Sequence, residues 1–66
     1  MAITRGTMLI AFARGAGWLH LEQYEQGEYV HHIWMTPAGR LVKFVLTMEG
    51  HVWSIEAQET WEPRSA

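Results

Sequence analysis

Sixty-six residues, 48% of them apolar and 12% aromatic, supply one small domain with one core, which excludes both a disordered tail and any two-core architecture. Five Lys and Arg against seven acidic residues leave a net charge of −2, the wrong sign for tracking a phosphate backbone, and the absence of cysteine removes disulfides, thiolate nucleophiles and Cys-type zinc sites. Met8 to Ala13, the most apolar run, is far shorter than the roughly 20 residues a spanning helix needs, so the chain reads as a cytoplasmic protein with no membrane segment.

In chain order, the first element is that same run. Residues 7–13 read as a strand buried on both faces, ended by Arg14-Gly15-Ala16-Gly17, a glycine-broken crossover. A secretory signal could cite Arg5 and Ala11-Phe12-Ala13, but the hydrophobic region is too short. A five-residue turn pattern with Gly fourth then occurs three times, at residues 24–28, 36–40 and 47–51. A type I turn followed by a left-handed residue makes a three-residue hairpin loop, and glycine takes that positive φ without a Cβ clash. Between these turns, residues 18–24, 29–35, 40–47 and 51–57 are rich in Val, Ile, Tyr, Phe and Trp and read as strands. In residues 18–26 a helix competes, since Trp18, Leu21 and Tyr24 recur at i, i+3 and Gly27 is a stop, but no capping side chain precedes Trp18.

The expected fold class is therefore all-β: a small antiparallel meander of about five strands, curled or barrel-like. It forms a single domain over 1–66, with an ordered core of about 7–58 and a polar tail at 59–66. Trp61 is the exception in that tail, either folding back onto the domain or docking elsewhere.

Three-residue loops pair Tyr24 with Glu28, Thr36 with Arg40 and Thr47 with His51, and this register sorts the side chains onto two faces. One collects Leu19, Leu21, Tyr29, Ile33, Met35, Leu41, Val45, Trp53, Ile55 and Ala57, interrupted by Gln23, His31 and Lys43, and is the expected core. The other collects Trp18, His20, Glu22, Val30, His32, Trp34, Val42, Phe44, Leu46 and Val52, with Ser54 and Glu56 at one edge. It is nearly as apolar, so the N-terminal strand, a second subunit or a partner must cover it. A one-residue slip at the last turn would swap the faces of the last strand and pair Lys43 with Glu56.

A core this small supplies roughly 3 to 5 kcal/mol, and natural domains of the size add disulfides, a metal or oligomerisation. His20, His31, His32 and His51 lack zinc-site spacing, so no metal and no cofactor are expected, and self-association is the favoured remedy. His31 and His32, being adjacent on a strand, point to opposite faces. Ser54 stands in no nucleophile-elbow context and Arg14-Gly15-Ala16-Gly17 lacks the surroundings of a phosphate loop, so no enzyme is expected.

The expected function is a small non-enzymatic protein-binding module, an inhibitor, adaptor or assembly subunit. It would bind a protein partner or its own copies through Trp18, His20, His32, Trp34 and Phe44. The alternative is an oligomeric β-barrel that uses the same aromatics to stack a small flat ligand or single-stranded nucleic acid. The scattered cations Arg5, Arg14, Arg40, Lys43 and Arg64 argue against nucleic acid.

Overall fold

The structure, a computed structural model, describes residues 3–63. One helix, α1 (Arg5–Gly15), precedes four strands: β1 (Leu19–Gln26), β2 (Tyr29–Met35), β3 (Leu41–Thr47) and β4 (Val52–Gln58). The strands form one antiparallel sheet in the order β1-β2-β3-β4, a meander whose two edges are not joined.

The run at residues 7–13 is helical, which corrects the fifth strand, and the reason lies at its two ends. Thr4, extended at φ −77° and ψ 160°, is the N-cap: its Oγ1 accepts the Thr7 N–H at 3.1 Å. At the other end Gly17 (φ 83°) donates to the Arg14 carbonyl at 3.1 Å and Trp18 to the Ala13 carbonyl at 2.9 Å. These are the two bonds of a Schellman stop, and the Phe12 ring meets Trp18 at 6.2 Å, its usual hydrophobic companion. The glycines of the supposed crossover thus terminate a helix. Between the caps, Gly6, Leu9, Ile10 and Ala13 recur at helical spacing and turn inward, while Met8 and Phe12 remain exposed.

The two later hairpins keep the expected loops. Gly39 (φ 81°) and Gly50 (φ 91°) donate to the Thr36 and Thr47 carbonyls, and Thr36 and Thr47 accept at Oγ1 from the Arg40 and His51 N–H groups. The first hairpin differs. Gln26 pairs with Tyr29 across a two-residue Gly27-Glu28 loop with Gly27 at φ 63°, the first position of a type II′ turn. Two bulges then reset the register. Leu21 is extra in β1 and Trp53 is extra in β4, so Phe44 faces Ile55 and Lys43 faces Glu56. The slip anticipated at the last turn occurs, through a bulge inside the strand with the loop unchanged.

The helix lies on the face carrying His20, His32, Trp34, Phe44, Leu46 and Val52. Ala13, Trp34, Phe44 and Leu46 are buried there, with Leu9, Ile10, Trp18, Val42 and Val52 packed around them. The face expected as core is the other one, and only its centre, Ile33 and Val45, is buried.

The start of α1 is riveted to the last hairpin. The Gly6 N–H donates to the Gly50 carbonyl at 2.8 Å, and a Cβ built on Gly6 falls 2.5 Å from that oxygen. Backbone cannot yield as a flexible side chain would, so Gly6→Ala should destabilise the chain by about 1–3 kcal/mol. Gly15→Ala, with nothing within 4 Å of the new methyl, should instead stabilise it by about 0.5–1 kcal/mol. Urea unfolding of the two variants checks both signs.

Candidate functional site

The five residues expected to bind a partner are brought together by the fold, on the face that α1 covers. Trp34 is 0% and Phe44 1% exposed, His32 is buried, and Trp18 and His20 are half-buried at the margin. Trp34 packs on Phe44 with ring centroids 5.6 Å apart, and Trp18 closes on Phe44 at 5.9 Å. Within the single chain, therefore, Trp34 and Phe44 have no ring face open to a partner, a ligand or a base.

The bulge at Leu21 decides what His20 touches. Together with the two-residue first loop it pairs His20 with Trp34 where the simple register gave His32, and the His20 ring stacks on Trp34 at 4.5 Å and on His32 at 5.1 Å. His20 Nε2 and His32 Nδ1 share a hydrogen bond of 3.1 Å. Burial, then the Arg14 guanidinium on α1, holds His20 below its ordinary value of 6.5. Burial first, then His20, Arg14 and His31, pushes His32 down to about 4. At neutral pH both rings are uncharged, one nitrogen donating and the other accepting. Among the described residues no group of three or more His and acidic side chains gathers around a common point for a metal.

On the opposite face the sheet shields itself with rings. Tyr24 stacks on His31 at 4.7 Å and Tyr29 meets Trp53 at 5.2 Å. Trp61 folds back across this face from beyond β4, and its indole N–H donates to Glu22 Oε1 on β1 at 2.9 Å. Lys43 Nζ lies 3.8 Å from Glu56 Oε1, and the Ser54 hydroxyl donates to Glu56 Oε2 at 2.7 Å. Ser54 is thus engaged by a carboxylate on its own strand.

An accessible apolar groove runs between α1 and β4, while Ile3, Phe12, Leu19, Met48 and Trp53 are exposed elsewhere. Leu9 and Val52 form its floor, Met8 (60% exposed) and Ile55 (57% exposed) stand on its rims, and Arg5 closes one end. Helical spacing puts Met8 on the outer side of α1, while the bulge at Trp53 turns Ile55 to the helix side. Neither was legible without the helix and the bulge. Thr4 before the run and Gly17 after it were the signals that could have revealed the helix.

No family model, curated protein or solved structure matches this chain. No helix among the described residues is long and apolar enough to cross a membrane.

Proposed function

We propose that the chain is a small non-enzymatic protein-binding module that associates with its own copies through the groove between α1 and β4. The observation that carries this reading is the exposure of Met8 and Ile55 on the two rims of one apolar groove. A core of this size gains from every further apolar contact, and association supplies such contacts where disulfides are absent. The five aromatic and imidazole residues first expected to dock keep a supporting part: they fix α1 on the sheet and so shape the groove.

Sedimentation or light scattering across a concentration series tests the proposal. Mass should rise above the 7.6 kDa of one chain as concentration increases, and Met8→Glu, at an exposed position, should return it to one chain with an unchanged far-UV spectrum. A concentration-independent monomer would sink the reading.

A further inference from the structure

We infer that the outer side of α1 docks on an anionic lipid surface, with Met8 and Phe12 entering the headgroup boundary and Arg5 and Arg14 engaging the lipid charge from the flanks of the helix. Gly6, Leu9, Ile10 and Ala13 turn toward the sheet, so helical spacing turns Thr7, Met8, Ala11, Phe12 and Gly15 away from it, and all five are exposed. A surface helix ordinarily carries charge on that side. Here none of the five is charged. Met8 is 60% and Phe12 63% exposed, and the one hydroxyl among them, on Thr7, is bonded to Thr4 Oγ1 at 2.9 Å. Ile3, next to the N-cap, is 70% exposed as well.

Charge identifies the occupant. Arg5 and Arg14 are exposed, and each falls about a quarter-turn to one side of the outward direction of α1. All seven acidic residues of the chain lie at Glu22 or beyond, so α1 carries cations and no anion although the whole chain stands at −2. Two α1 helices set face to face would gather the arginines of both copies with no acid on either helix, which disfavours a second copy joined helix to helix. An anionic leaflet meets both requirements at once. It offers an apolar layer to Met8 and Phe12, and phosphate and carboxylate groups to arginines whose stems reach out along the interface. Glu49 adjoins Gly50, the residue bonded to Gly6, and sets one exposed carboxylate against this attraction near the start of α1.

The inference is independent of self-association, because the groove is lined by Met8 and Ile55 and does not include Ala11 or Phe12. The experiment is co-sedimentation with vesicles of phosphatidylcholine alone and of phosphatidylcholine with about one-third phosphatidylserine, at neutral pH and low salt. The chain should bind the mixed vesicles at least about tenfold more tightly than the neutral ones, and added salt should weaken that binding. Arg5→Gln and Arg14→Gln should each weaken it about fivefold, and Glu49→Gln should tighten it. Phe12→Ser should weaken it about tenfold or more, and Ala11→Glu, which sets an acid at the centre of the outer side in a good helix former, should abolish it. Circular dichroism confirms that each variant is folded. No binding to the mixed vesicles, equal binding to both kinds, or binding indifferent to Phe12→Ser and Ala11→Glu overturns the inference. So does a loss of mass in sedimentation by those two variants without lipid, which would assign the outer side of α1 to a second copy.

Discussion

Trp34→Ala should leave a chain that is largely unfolded at 25 °C. The side chain is completely buried beneath α1, between His20 and Phe44, and truncating a core tryptophan costs about 3–5 kcal/mol in transfer and cavity terms. That equals the roughly 3–5 kcal/mol a domain of this size has to lose. Trp34→Phe separates packing from polarity. The Trp34 indole N–H is buried with no acceptor among the described residues, a cost of about 1–3 kcal/mol that phenylalanine removes while it fills most of the volume. Trp34→Phe should therefore stay folded. Far-UV circular dichroism and urea titration of both variants check this, and an Ala variant that keeps a cooperative transition near the wild-type midpoint would show that α1 does not seal this face.

The expected loss follows from a reversal of the two faces, which shows what the sequence does and does not carry. Turn chemistry is local, and it was readable at two of the three turns: glycine at the left-handed position fits the loops at 36–40 and 47–51, and the β2–β3 register follows from the first of them. Bulges are not local. Trp53 sits as the extra residue in β4 and rests on Tyr29, so Ile55 leaves the face that strict alternation assigned it; no residue between 51 and 57 announces this. Leu21 acts likewise in β1 and delivers His20 to Trp34. The helix was ambiguous for another reason. A six-residue apolar run fits a buried strand and one face of a short helix equally well, and the deciding residues, Thr4 and Gly17, lie outside it. The aromatic and imidazole cluster was legible as a cluster because its members alternate on neighbouring strands. Its burial was not, because burial depended on the helix.

Acidification from pH 6.5 to pH 5 should weaken the fold. The unfolded chain titrates its histidines near 6.5, whereas the folded chain holds His32 at about 4 and His20 below its ordinary value. Between those limits the unfolded state binds more protons, so stability rises with pH across the window and is lost as pH falls through it. For His32 alone, complete passage from 6.5 to about 4 amounts to about 3 kcal/mol, most of the margin of so small a core. The stereochemistry agrees. A first proton on the pair can be shared between His20 Nε2 and His32 Nδ1, but it leaves a charge under α1 facing the Arg14 guanidinium, and a second sets N–H against N–H at 3.1 Å. Urea midpoints at pH 7.5, 6.5, 5.5 and 5.0 should be level over the first interval and fall over the rest. His32→Gln keeps a hydrogen-bonding partner for His20 without titrating, so its midpoint should fall much less over the same range. A wild-type midpoint flat to pH 5, or an equal fall in the variant, would place the acid sensitivity elsewhere than in the histidine pair that α1 covers.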